Sequence, residues 1–389
     1  MKFKPVKESP GPAAGLSFMH TPELDRGGYP ASCPFNTRRA GKVLRSLEKM
    51  GVLKASDEAV REPLPLTRAE LEWFHEPAYL DLLTSMEHVA DLTPEALQRG
   101  LGSPDCPVFP GQYDFVRLAA GGTLTAARRL LDGSDRRAFN PSGGFHHAAA
   151  DRAAGFCYVN DVVVALMELT RRGRRAVFLD VDVHHCDGVQ APFFDRDDVL
   201  VISLHESGNY LFPGTGFQNE IGIGKGKGYT VNVPLPVGTY DAIYEEALQE
   251  IVWPLLDAYA PDVIVLEMGM DALAGDPLAH LHLTNNVHAD VVHQLVQRDT
   301  PLLMTGGGGY HVEQTVRGWA LCWCILSGED EHIAAPAMGG VMLENTDWVG
   351  GLRDRVLISD AGRRDRVRRE LHTVINALKR TVFPIHGIA

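Results

Sequence analysis

The sequence predicts an α/β fold: an open, mostly parallel β-sheet with helices on both faces and its site at the carboxyl ends of the strands. Three observations carry that expectation. Short runs of consecutive apolar residues recur through the middle of the chain, stretches of helical period separate them, and polar residues rich in chemistry follow the runs. A strand buried on both faces reads as an unbroken apolar run, and alternation of strand with helix builds parallel crossovers.

The elements follow in order. Residues 137–140 (RAFN) are strand-like and run into a Gly-Gly turn. Residues 161–173 place Val162, Val163, Leu166, Met167 and Leu169 at helical spacing and stop at Gly173. Residues 175–183 (RAVFLDVDV), 199–205 (VLVISLH), 263–270 (VIVLEMGM) and 301–309 (PLLMTGGGG) read as buried strands. Residues 242–259 read as a helix kinked or broken at Pro254. Residues 363–383 form a basic amphipathic helix with Val367, Leu371, Val374 and Leu378 on one stripe, read as a surface helix rather than a membrane element.

A length of 389 residues suggests two or three domains. No repeat, low-complexity tract or polar linker divides the chain, so one catalytic unit over 1–389 is expected, with a C-terminal helical extension at about 355–383. Apolar residues make up 45% and charged residues 22%, an ordinary globular mix. With 37 basic and 50 acidic side chains the net charge is −13. Such a surface disfavours nucleic acid and is compatible with cationic substrates such as lysine or polyamines. No apolar run reaches the roughly 18 residues of a membrane span. The leading residues MKFKPVKESPGPAAG lack the apolar stretch of an export signal. Six scattered cysteines without a CxxC pair suggest a reduced, cytoplasmic compartment. A homo-oligomer is compatible with all of this.

Four segments carry chemistry. After the strand at 175–183, alternation places Asp180, Asp182 and His184 on one face at its end, with His185 and Asp187 following. Two carboxylates and an imidazole at a buried edge call for a cation, although a hydrogen-bonded strand end is the alternative. Asp271, after the strand at 263–270, is by itself as good a helix cap as a ligand. With Asp182 and His184 it completes three ligands and leaves one position open, the layout of a catalytic metal site. His146 and His147 follow the Gly-Gly turn, where each can hydrogen-bond a carboxylate, with Asp180 and Asp187 spare for that. Four glycines at 306–309 let backbone approach a ligand closely, and Tyr310 ends that loop where a phenol can donate to an oxyanion.

Together these segments resemble the zinc-dependent histone deacetylase family, especially the bacterial amidohydrolase and acetoin-utilisation types. The motifs are DCPVF (105–109), GGFHHA (143–148), GFCYVND (155–161), DVDVHHCDGVQ (180–190), FPGTG (212–216), GMDALAGD (269–276) and GGGGYH (306–311), in the family's order. The resemblance runs from about 20 to 329. It implies removal of acetyl or another short acyl group from lysine in proteins or peptides. It implies Asp182, His184 and Asp271 as ligands of Zn²⁺, with Fe²⁺ or Co²⁺ as possible substitutes, His146 and His147 paired with Asp180 and Asp187, and Tyr310 at the transition state. Gly155, Phe156 and Phe212 then line an acyl-lysine channel with Asp105 and Leu278 at its rim, and Arg39 lines an internal pocket that receives acetate. Structural K⁺ is implied at Asp180, Asp182, His184, Ser203 and Leu204, and again at Phe193, Val199 and Tyr229.

The sequence departs from the family at four places. Glu267 stands where Gln is usual and Met270 where a small residue is usual; Asn36 replaces a common Lys; and Phe35 lies where the internal pocket usually carries Met or Leu. Competing readings are an acetylpolyamine deacetylase on the same site, a binuclear metallohydrolase, which needs more carboxylates, and a non-catalytic acyl-lysine binder, which would be expected to lose a ligand or the tyrosine.

Overall fold

In the computed structural model, residues 15–329, 351–357 and 361–389 are described. Residues 1–14, where no export signal is expected, and 358–360 of the C-terminal extension lie outside them. Eight strands form one sheet: β1 (Leu16–Met19), β2 (Val60–Arg61), β3 (Arg137–Asn140), β4 (Ala176–Asp180), β5 (Val199–Glu206), β6 (Thr230–Leu235), β7 (Val263–Glu267) and β8 (Leu302–Thr305). Their order is β2-β1-β3-β8-β7-β4-β5-β6, and every pairing is parallel. The α/β architecture is therefore as the apolar runs indicate.

Period-2 alternation explains how both faces are filled. Along β4, Val177 and Leu179 join a core with α1 (Arg39–Met50). Ala176 and Phe178 point the other way, among side chains of α2 (Gln112–Leu131), α3 (Asp161–Arg171) and α4 (Asp187–Phe193). The first face is completed by α5 (Asn285–Val296), α6 (Val312–Ser327) and α7 (Ala361–Thr381). Each buried Val, Leu or Phe contributes roughly 1.5–3 kcal/mol relative to exposure, so the central strands are fixed from both sides.

Several boundaries differ from the sequence reading. Strand β4 stops at Asp180 and β7 at Glu267, each three residues before the apolar run ends. The glycines at 306–309 follow β8 rather than extend it. Pro254 does not break its helix: a π-helical turn, Leu248–Val252, precedes it, and Pro254 sits in the first turn of the helix Trp253–Tyr259. The wider turn takes up the register around a residue that has no N–H to give. Helix α7 buries Val367, Leu371, Val374 and Leu378 against the protein.

Candidate active site and metal centre

Four neighbouring strands deliver the site residues, each from its carboxyl end. The sheet order β3-β8-β7-β4 places the segments carrying His146 and His147, Tyr310, Asp271, and Asp182 with His184 side by side. This is where an open parallel sheet offers a crevice.

The expectation that Asp180, Asp182 and His184 share one face does not hold. The chain leaves the strand at Asp180 and turns. Asp180 Oδ1 accepts the N–H of Asp182 at 2.9 Å, and Asp182 Oδ1 accepts that of His184 at 2.9 Å. These local bonds compete with the ladder. Asp180 then faces His146, with Oδ2 at 2.8 Å from Nδ1. Asp182 and His184 converge with Asp271 instead: His184 Nδ1 lies 3.1 Å from Asp182 Oδ1 and 3.1 Å from Asp271 Oδ2.

The three are buried and could hold one metal ion. Their spacing fits: a tetrahedral centre with bonds of roughly 2.0–2.1 Å sets its donors about 3.3 Å apart. Backbone locks the set, since Val183 N–H donates to Asp271 Oδ1 at 2.9 Å and Gly308 N–H to Asp182 Oδ2 at 2.6 Å. Burial alone would keep His184 neutral, but its bonds to Asp182 and Asp271 carry it up to about 10. Burial and then Asp182 push Asp271 up to about 7. Carboxylates that hold an imidazole proton this tightly would hold a divalent cation in its place, so proton and metal compete for the trio.

His147 Nδ1 lies 2.7 Å from Asp187 Oδ1, and the Nε2 atoms of His146 and His147 are 2.9 Å apart. Burial depresses both imidazoles, His147 to about 4. The tandem is aimed by Asp161 at the start of α3, whose carboxylate accepts the N–H groups of Gly144 at 3.0 Å and Phe145 at 2.8 Å.

Above the trio stand two aromatic walls. The Phe212 ring lies 4.9 Å from His147 and 6.3 Å from His184, and Phe212 is 45% exposed. Phe156 is 9% exposed and packs 5.5 Å from Tyr310. Between them Gly155 leaves no room for a side chain: a Cβ there would stand 2.5 Å from His147 and 3.0 Å from Phe212. Tyr310 faces His184 edge-on at 6.3 Å. Burial and then Asp271 push its phenol well above the usual range, so it stays protonated. Arg39 lies beneath, donating to the carbonyls of Gly309 at 2.7 Å and Gly307 at 2.8 Å.

Asp105 is exposed on the loop before α2, and Leu278 is half-buried against the loop-side aromatic core. Ser203 pairs with Asp180 across the sheet, and Leu204 follows it on β5. Phe193, Val199 and Tyr229 lie at the other end of β5, where Val201 N–H donates to the Tyr229 carbonyl at 2.9 Å.

Three residues carry more than sequence reading gave them. Asp276 accepts the N–H groups of Tyr310 at 2.8 Å and Leu278 at 2.9 Å, so it ties the loop that ends at Tyr310 to the segment carrying Leu278. Asp161 closed a motif without a role. Glu267 stood as a local packing departure. It is fully buried, 3.1 Å from His146 Nδ1, and among the described residues neither carboxyl oxygen has a hydrogen bond. Burial and then Asp180 push it well above the usual carboxylate range. Pairing of β4 with β7 sets Glu267 beside Asp180 in the buried sheet, and no single-chain pattern announces it.

A family model described as the histone deacetylase domain matches residues 33–326. The chain is 38% identical over 292 residues to histone deacetylase 8 of Xenopus tropicalis, covering 75% of this chain and 78% of that protein. It is 37% identical over 314 residues to histone deacetylase 3 of Oryza sativa subsp. japonica, covering 80% of this chain and 61% of that protein, less than two thirds of the rice relative's length. A crystal structure of an HDAC homolog complexed with SAHA superposes with a TM-score of 0.83 at 32% identity, covering 94% of this chain and 100% of that one. The relatives so named are hydrolases of amide bonds. Their likeness extends over the strands that carry the buried Asp182, His184 and Asp271, and this chain belongs to the histone deacetylase family.

Proposed function

We propose that the protein is a metal-dependent deacetylase that removes acetyl or another short acyl group from the ε-amine of lysine in proteins or peptides. One observation carries the reading: a buried Asp–His–Asp trio with metal-ligand spacing lies between two histidine–aspartate pairs and a protonated tyrosine, beneath two aromatic walls.

Asp182, His184 and Asp271 would hold Zn²⁺, with Fe²⁺ or Co²⁺ acceptable to the same donors. Such an ion polarises the amide carbonyl and lowers the pKa of water towards roughly 7. Phe156 and Phe212 clamp the aliphatic lysine stem, Gly155 gives it passage, and Asp105 at the rim accepts from the peptide backbone. His147 is neutral near pH 7 because burial depresses it, so its Nε2 can take the water's proton and later return it to the leaving amine. Asp187 on Nδ1 stabilises the imidazolium in between, and His146 with Asp180 supports it. The Tyr310 hydroxyl donates to the developing oxyanion, and Arg39 steadies the loop that carries it.

In the same reading, 1–389 is one catalytic unit and K⁺ is structural. One ion uses Asp180, Asp182, His184, Ser203 and Leu204; another uses Phe193, Val199 and Tyr229. The location is cytoplasmic. Among the described residues no helix is long and apolar enough to cross a membrane. The test is turnover of an acetyl-lysine peptide by metal-stripped and metal-restored protein. Loss on stripping and recovery with one divalent ion per chain is expected. Full turnover by the metal-free protein would remove the trio from the chemistry.

A further inference from the structure

We propose that Tyr29 is a positioning residue for the acyl-lysine channel: its hydroxyl holds a strained turn that presents Phe156 as one of the channel's walls. The inference rests on the deacetylase reading for its substrate class, but the turn and its tie are independent of that reading.

Phe156 stands in a backbone conformation that side chains seldom adopt. Ala154 and Cys157 form an antiparallel bridge: the Cys157 N–H donates to the Ala154 carbonyl at 2.8 Å, and the Ala154 N–H to the Cys157 carbonyl at 3.1 Å. Only Gly155 and Phe156 lie between them, at φ of 50° and 65°. Positive φ at both centre positions is the signature of a type I′ turn, whose centre ordinarily takes Asn, Asp or Gly. Glycine suits the first position, where His147 also leaves no room for a Cβ. Phenylalanine at the second is strained, and such strain persists only where the surroundings over-determine it.

Tyr29 supplies that constraint. It lies in the segment before α1, 127 positions earlier in the chain, and its hydroxyl donates to the Phe156 carbonyl. Its own ring is fixed, 5.3 Å from Phe109 and 5.5 Å from Tyr158. Burial pushes the Tyr29 phenol well above its usual range, so it keeps the proton it donates. The bond orients the peptide that follows Phe156 and so sets where the ring goes. That ring packs 5.7 Å from Phe35 and 5.5 Å from Tyr310. Without the hydroxyl the turn is free to relax towards negative φ and carry the ring off its place, which loosens the slot that clamps a lysine stem. The loss falls on substrate binding, because the hydroxyl is bonded to the turn and not to the metal ligands.

The experiment is a double-mutant cycle. Tyr29→Phe removes one oxygen and keeps the ring. KM and kcat for an acetyl-lysine peptide are measured on metal-loaded wild type, Tyr29→Phe, Phe156→Ala and the double variant. Tyr29→Phe should raise KM at least about fivefold and leave kcat within about twofold. In the Phe156→Ala background the same change should move KM by less than about twofold, because the wall it positions is gone. A KM unchanged by Tyr29→Phe, or an equal rise without the Phe156 ring, overturns the proposal and makes Tyr29 a packing residue. Absence of turnover by the wild type on every acyl-lysine peptide overturns the deacetylase reading instead, and amide hydrogen exchange then decides Tyr29: faster exchange at Cys157 in Tyr29→Phe upholds the tie, and equal exchange refutes it.

Discussion

Gly308 donates its backbone N–H to Asp182 Oδ2 at 2.6 Å, and a Cβ built on Gly308 would lie 1.9 Å from Asp271 Oδ2. The glycine run is thus a matter of closeness to two carboxylates. Gly308→Ala must push Asp271 out of the trio. Metal content should fall below one ion per chain and kcat/KM by at least about 10²-fold, by analogy with losing one preorganised group, while the far-ultraviolet circular dichroism stays native. A fully metallated, fully active variant would show that Asp271 is not a ligand.

Tyr310→Phe deletes a donor and little else, because the ring's contacts with Phe156 and Phe35 are apolar. Loss of one oxyanion donor costs about 10²–10³ in kcat, with KM nearly unchanged. Steady-state kinetics on an acetyl-lysine peptide check it, and a kcat near wild type would make Tyr310 a packing residue.

In the proposed function Leu278 stands at the channel rim and offers no charge, so the second ammonium of a polyamine would meet apolar surface uncompensated. Acyl-lysine peptides, which can use Asp105, should show higher kcat/KM than acetylspermidine, and Leu278→Glu should move the ratio towards the polyamine. A wild-type preference for acetylspermidine defeats the substrate assignment. An unchanged ratio in the variant removes Leu278 from it.

Stability should fall on mild acidification. Burial depresses His75 from 6.5 to about 4, and its Nε2 accepts the Asn160 N–H at 3.0 Å. Below pH 6.5 the unfolded chain binds a proton that the folded protein refuses, so stability rises with pH between about 4 and 6.5 and is flat above. One such histidine accounts for a loss of up to about 3 kcal/mol at the acid end of that window. Urea unfolding at pH 7.5 and pH 5 measures the drop, and His75→Gln should shrink it. An equal drop in the variant would place the cause elsewhere.

The central strands were legible because β4, β5, β7 and β8 are buried on both faces and read as unbroken apolar runs. Strands β1 and β2 escaped notice because four and two residues carry too little period. Strand β6 escaped because Thr230, Asn232 and Pro234 interrupt its apolar pattern; Pro234 is tolerated there because β6 is the sheet's edge. The site's residue types and their spacing were legible. The turn at Asp180 was not, since an extended-chain rule cannot foresee carboxylates that cap their own backbone two residues on. Nor was the work of Asp161, Asp276 and Glu267, whose partners come from other strands and loops.

Arg39 fastens Gly307 and Gly309 from beneath, and the bond to Gly309 joins residues 270 positions apart. Four consecutive glycines have little conformational preference of their own, and a side chain far earlier in the chain fastens their carbonyls. The candidate site is therefore finished by one of the longest-range contacts among the described residues. Such contacts carry the greatest loop-closure cost and form late. On refolding, helical content and the β4–β5 pairing should return first, and turnover should lag until the two ends of the catalytic region meet.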